Sequence, residues 1–252
     1  MKFTKILLPA IVATLIASYS YSQKKDTIFV TGSSVSGDDS EMIQNAIDKA
    51  STANRIIKLG YNKKYTLKHP LYFKNNVTLE GNSSTLTPVW DWPMQNKQDM
   101  PMLNIIGQSN VKLNNLVLDL QGDKRDIKHR VYCTLFMLGA SNCVVDNVIF
   151  KNGGITYSEN ESVVPVSPHI LMCSQDAAND LDAIPVSFRS ILGSSNNNTV
   201  LNCKFLNKNT FSRFGIRVLS NWELKRNPKV FKNKTERNVF KRNYFEGEYS
   251  WN

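Results

Sequence analysis

The sequence predicts an all-β chain whose short strands stack as a solenoid behind one short α-helix, and three observations predict it. First, "IIGQSN" at 105–110 returns as "MLGASN" at 137–142 and as "ILGSSN" at 191–196, each time followed by an Asn or Asp and a second apolar strand. Second, from residue 55 onward runs such as "RIIKLG", "NVTLEG", "VKLNNLVLDL" and "VVDNVIF" are punctuated by Gly and Asn, the pattern of many strands. Third, hairpin turns such as Asn-Gly between paired runs are scarce, which disfavours the alternative, an antiparallel sandwich.

Residues 1–22 carry Lys2 and Lys5, an apolar stretch over 6–17, and small residues at Ser20 and Ser22. That is the pattern of a secretory signal peptide, too short to span a bilayer as a helix. Cleavage is expected near Ser22, leaving 23–252 as a single domain, secreted or held in the periplasm or at the cell surface, with no membrane span. Next, in "GDDSEMIQNAIDKAS", Asp38 or Asp39 can cap a helix with Glu41 in its first turn. Met42, Ile43, Ala46, Ile47 and Ala50 share one face at helical spacing, so this amphipathic helix at 39–50 needs a partner. It is suited to cover the open edge of the first strand layer, which would otherwise invite pairing with other chains.

A strand, a Gly/Asn turn and a second strand cannot bury an apolar face alone, but stacked copies can. Aligned on Gly-x-Ser-Asn, the three copies put Asn114, Asp146 and Asn202 at one turn, where short polar side chains tolerate unusual backbone angles. Their irregular spacing excludes a repeat of constant length. The sequence stops at "NYFEGEYSWN" without a closing helix or polar cap, so the expectation is either an irregular tail that closes the stack or, preferred here, truncation of a longer solenoid.

Charge narrows the partners. Lys and Arg number 31 against 21 Asp and Glu, a net charge of +10 that favours polyanions, unless it serves solubility alone. For an exported chain, an anionic polysaccharide is the expected partner, and nucleic acid is not. Cys133, Cys143, Cys173 and Cys203 allow three pairings and fit no metal motif; Cys143 and Cys203 fall in apolar strand patterns, which favours buried small hydrophobes over bridges.

"GDDSEMIQNAIDKA" followed by "IIKLG", "YTL" and "NVTLEGNSSTL" resembles the amino-terminal cap and first coil of the pectate-lyase-like, right-handed parallel β-helix superfamily. With the later repeats the resemblance covers about residues 35–250. It implies a right-handed parallel β-helix with a short capping α-helix, and a carbohydrate-active protein of the polysaccharide lyase, glycoside hydrolase, epimerase or tailspike kind. The polygalacturonase segments Asn-Thr-Asp, Asp-Asp and Gly-His-Gly are missing after the cap. Ser167-Pro168-His169 is the nearest string to the Asp-Pro-His of alginate epimerases.

The strands vary little; the segments after Leu118 and Phe150 vary a great deal. In register, both insertions would leave from the same edge, where the loops of a repeat array form its binding surface. In the first, Asp123, Lys124, Arg125, Asp126, Lys128, His129 and Arg130 read either as a subsite for uronate or sulfate, with Asp119 nearby, or as a solvated loop of mutually paired charges. In the second, Asp180 and Asp182 would share a face of an extended segment, as the paired carboxylates of a glycoside hydrolase, or cap a turn. His169 is a candidate acid or base needing one partner.

In "SRFGIRVLS", Phe214, Ile216 and Val218 alternate with Arg213 and Arg217, so the arginines would project outward, with Lys151 and Lys204 on nearby layers. A lyase acting on uronates must neutralise the carboxylate, remove the adjacent proton and protonate the leaving oxygen. Arg213, Arg217, Lys151 and His169 are therefore the candidates for β-elimination, and Asp180 and Asp182 for the hydrolytic variant. A glycan-binding or surface protein without catalysis is the reading from another class. Calcium through Asp side chains stays open, although no calcium loop motif is present.

Overall fold

Period-two alternation, when it recurs in segments joined by turns too long for hairpins, pairs strands in parallel across the chain. The computed structural model describes residues 26–32, 37–95, 98–126, 128–155, 168–174, 193–212, 215–219 and 235–249. Its first strands are β1 (Thr27–Val30), β2 (Ile56–Leu59), β3 (Lys64–Leu67), β4 (Leu71–Tyr72), β5 (Thr78–Glu80) and β6 (Thr85–Pro88). After β7 (Met94–Gln95) and β8 (Gln98–Asp99) come β9 (Leu103–Ile106), β10 (Lys112–Asp119), β11 (Leu135–Leu138), β12 (Val144–Lys151) and β13 (Ile170–Cys173). The last are β14 (Ser195–Asn196), β15 (Thr199–Leu201), β16 (Lys204–Ser212), β17 (Ile216–Leu219), β18 (Thr235–Glu236), β19 (Val239–Lys241) and β20 (Tyr244–Tyr249).

The described chain is mostly β, with parallel sheets and one α-helix, α1 (Ser40–Ala53). The main path of an 11-stranded sheet runs β1-β2-β5-β10-β12-β15-β19, joined by β3, β6, β16 and β20; a five-stranded sheet runs β17-β13-β11-β9-β4. Among the described residues only the short β7–β8 pair is antiparallel. An antiparallel sandwich is therefore not the architecture.

Parallel register turns sequence alternation into columns. Ile57, Leu79, Leu113, Val145 and Val200 are mutually paired and fully buried, and the column continues to Phe240. A second interior column runs Tyr65, Leu86, Leu118, Phe150 and Phe205, all fully buried, and continues to the exposed Phe245. Within it the Phe150 and Phe205 rings stack at 4.8 Å and the Phe205 and Phe245 rings at 4.7 Å. Two strands of the five-stranded sheet, β11 and β13, are buried on both faces, as parallel strands covered on each side must be, so they read "LFML" and "ILMC" without alternation.

The turns form columns too. Asn54, Asn76, Asn110, Asn142, Asn197 and Arg237 each sit two residues before a strand with positive φ, between 51° and 63°. Asn tolerates that left-handed conformation because its short amide bonds locally. A matching column interrupts the pairing further on: Asn115 within β10, Asn147 within β12, Asn202 between β15 and β16, and Arg242 between β19 and β20. This corrects the sequence alignment by one residue for two members: Asn114 and Asp146 are paired strand positions, and Asn115 and Asn147, with positive φ, make the bend before pairing resumes at Leu116↔Val148.

A further reading is corrected. "ILMC" at 170–173, read as part of the long insertion, is strand β13, paired to β11 in register from Leu135↔Ile170 to Leu138↔Cys173. The layer above "FML" is thus "LMC", and among the described residues the repeat resumes at Gly193, whose backbone packs on Gly139. The helix is as expected on its buried face, with Ile43, Ala46, Ile47 and Ala50 inside, and it packs on β1, β2 and β4. Asp38 rather than Asp39 reaches the Ser40 N–H (2.9 Å), while Asp39 accepts from Thr66 N–H (2.7 Å) and ties the helix to β3. All four cysteines are buried and free. No described helix is long and apolar enough to cross a membrane.

Candidate functional site

Strand register brings two of the sequence candidates together. Asp119 ends β10 and Lys151 ends β12, and the two are paired residues of neighbouring parallel strands. Such residues point to the same side of the sheet about 4.8 Å apart; both are half-buried. The segments that follow them also start side by side, with Leu120 N–H bonded to Lys151 O (3.1 Å) and Gly122 N–H to Asn152 O (2.9 Å). Gly122 permits this approach: a Cβ there would meet Asn152 O and Gly154 O at 2.5 Å.

Asp119 is held rather than loose. One carboxylate oxygen accepts from Gln121 N–H (2.9 Å) and from Asn152 Nδ2 (3.0 Å), and Gln121 Nε2 donates to Thr87 Oγ1 (2.6 Å). Lys204, one strand further on, is exposed in the neighbouring column, paired to Ile149. The outward face therefore carries Asp119, Lys151 and Lys204 within a few strand spacings.

The charged loop beyond Asp119 divides into a buried anchor and an exposed rim. Arg125, expected to contact substrate, is instead 2 % exposed. Its guanidinium donates to the carbonyls of Leu120 (2.7 Å), Pro88 (3.1 Å), Val89 (2.7 Å), Trp90 (3.1 Å) and His129 (2.7 Å). Only the planar fork of an arginine, with its five N–H donors, can satisfy such a ring of carbonyls. Burial lowers its pKa to about 10, against the opposing pull of Asp119. Arg125 is a structural staple between the loop and the segment after β6, and it is withdrawn as a substrate contact.

That staple presents Trp90. The residue is 45 % exposed, its ring stacks on His129 with centroids 4.7 Å apart, and the Arg125 guanidinium lies 6.0 Å from the ring centre. Asp126 accepts from His129 Nδ1 (2.7 Å) and from the backbone of Lys128 and His129; the His129 hydrogen bond foremost pulls its carboxyl below the usual range. Lys124 and Lys128 are exposed on the same loop. Trp90 was not among the sequence candidates, although an aromatic two residues past a strand-ending Pro88 carries that signal.

His169 is corrected as well. It lies at the start of β13, fully buried, tilted against Phe150 and Phe205. Gly153 N–H donates to Asn207 Oδ1 (2.9 Å), which fixes that atom as an acceptor, so His169 Nε2–H donates to it (2.9 Å) and Nδ1 accepts from Thr134 Oγ1 (3.1 Å). Burial pushes the imidazole down to about 4, against smaller opposing effects of Asn207 and Asp119. A neutral, satisfied core histidine does not reach a polymer.

Arg217 lies on β17, paired to Leu171, in the five-stranded sheet, so it shares no strand face with Lys151. Its charge acts instead on the buried Tyr132, whose phenol is pushed up by burial and then by the Cys133 and Cys173 thiols, against the smaller opposing effect of Arg217 and then Arg130. Arg213, Asp180 and Asp182 lie outside the described residues. Among the described residues no group of three His, Cys, Asp or Glu is placed to hold a metal ion.

Comparison of the chain with known protein families, with curated proteins and with solved structures finds no match.

Proposed function

We propose that the parallel sheets are wound as a right-handed β-helix of the pectate-lyase-like kind, and that the protein is exported and acts on an anionic, uronate- or sulfate-bearing polysaccharide. The observation that carries this reading is the register pairing of Lys151 with Asp119 on a half-exposed strand face of a chain with net charge +10. A linear polyanion laid along such a face meets its cations at successive strands.

The proposed reaction is β-elimination. A base takes the proton from the carbon next to the uronate carboxylate, its electrons form the new C=C bond, the glycosidic C–O bond breaks, and the leaving oxygen takes up a proton. Lys151 is the cation that would sit beside the carboxylate, and Asp119 is the neighbouring group able to accept the proton. Arg213, outside the described residues, would supply a further cation for the polymer, whereas Arg217, on the other sheet, is not part of this face. Hydrolysis through Asp180 and Asp182 is the variant of the same reading. The burial of His169 favours a second reading, binding without cleavage, because it removes the one imidazole proposed for proton transfer.

Incubation with pectate, alginate, chondroitin sulfate and carrageenans, followed by absorbance of unsaturated ends and by reducing-sugar release, tests it. The expected result is unsaturated ends that Lys151→Ala reduces at least about tenfold, the scale on which a positioned charge contributes. Reducing ends without unsaturation would assign hydrolysis, binding alone would assign the second reading, and no retention of any anionic polymer would overturn the proposal.

A further inference from the structure

We infer that Trp90, braced by His129 and held from behind by Arg125, is a subsite on which one sugar ring of an anionic polysaccharide stacks; the inference rests on the polysaccharide reading above. Single exposed apolar side chains need no explanation, but this one is built in place. Two residues on, Trp92 is 6 % exposed with its indole N–H donated to Met100 O (2.8 Å), the ordinary fate of a tryptophan. Trp90 is turned outward while its carbonyl accepts both from Arg125 Nη1 (3.1 Å) and from Trp92 N–H (2.9 Å), so its backbone is fixed. Its ring is fixed by His129 at 4.7 Å, and His129 in turn by Asp126 at 2.7 Å.

A rigid, half-exposed aromatic ring loses little freedom when a ligand covers it, which is what makes such residues binding anchors. The apolar C–H face of a pyranose matches an indole face in size, and its substituents project sideways. Lys124 and Lys128, exposed on the loop that carries His129, offer cations for a carboxylate or sulfate, and Asp91, exposed and adjacent to Trp90 in the chain, offers an acceptor for hydroxyl groups. The same Arg125 fork bonds Leu120 O, next to Asp119, so platform and strand face share one scaffold. A polymer held on Trp90 is thereby delivered toward Asp119 and Lys151.

The test is affinity electrophoresis of the full-length mature protein in gels containing polygalacturonate or alginate, with wild type, Trp90→Ala, Trp90→Phe and His129→Ala compared. Near-ultraviolet circular dichroism and thermal melting establish that each variant is folded. The expected result is a loss of affinity of about tenfold or more for Trp90→Ala, a smaller loss for His129→Ala, and near-full retention for Trp90→Phe. Polymer should also shield the wild-type fluorescence from acrylamide more than that of Trp90→Phe. Retention of wild type with unchanged retention of folded Trp90→Ala would overturn the subsite and leave the polysaccharide reading standing. Failure of wild type to bind either polymer, or the sulfated ones, would overturn both.

Discussion

His169 shows how a residue's surroundings decide its chemistry. Free imidazole titrates near 6.5, whereas burial beside Phe150 and Phe205 brings His169 down to about 4. Between those values the unfolded chain binds a proton that the folded chain refuses. Stability therefore rises with pH through this window, is fully present above about 6.5, and is lost as pH falls through about 4. The contribution is about 3 kcal/mol. Urea unfolding from pH 7 down to pH 4 should show a midpoint falling more steeply in wild type than in His169→Gln; parallel profiles would refute the buried neutral imidazole. The sequence offered "SPHI" in an apparently polar insertion, and nothing local revealed that β13 would be buried on both faces. Arg125 misled for the same reason: a dense charged string does not say which charge turns inward to bond carbonyls. Asp119 and Lys151 were legible as outward residues because strand alternation alone fixes that.

At the scale of elements, the turns carry as much information as the strands. Asn142 has φ 55° and its N–H bonds Asn196 O (3.0 Å), one layer on. A β-branched residue there must adopt left-handed backbone at a cost of about 1–2 kcal/mol, while glycine adopts it freely. Thermal unfolding of Asn142→Val should show a loss of that order and Asn142→Gly a clearly smaller one; equal losses would mean that the amide's own contacts, not the backbone, hold the turn. The Asn-rich turns were visible in the sequence, yet their alignment slipped by one residue at Asn114 and Asp146. Asn114–Asn115 and Asp146–Asn147 are each two polar residues in a row, so polarity alone does not say which member leaves the pairing. Strand β13 escaped because a fully buried parallel strand has no alternation to read. The helix was legible through its one apolar face, and which of Asp38 and Asp39 bonds its first turn was not, since that depends on the contact of Asp39 with Thr66 in β3.

At the scale of the whole molecule, the account depends on residues distant in sequence becoming neighbours through parallel register. That register aligns the interior columns, sets the phenylalanine rings at 4.8 and 4.7 Å, and pairs Asp119 with Lys151 at the strand ends, while Arg125 bonds both the Leu120 carbonyl, next to Asp119, and the Trp90 carbonyl. Repetition of "Gly-x-Ser-Asn" made the stacking readable, and net charge pointed to an anionic partner. What repetition did not disclose is which insertion residues return to the surface, because loop conformation follows from contacts such as Pro88 O with Arg125 that lie far apart along the chain. The most direct measurement is disulfide trapping in the double variant Asp119→Cys/Lys151→Cys. Paired residues of adjacent parallel strands stand about 4.8 Å apart, within the span of roughly 4.4–6.8 Å that a disulfide bridges. Mild oxidation of the folded protein and peptide mass mapping should reveal a link between positions 119 and 151, and neither single variant should give one to the buried native cysteines. Absence of that link in the folded double variant would contradict the register from which the site is built.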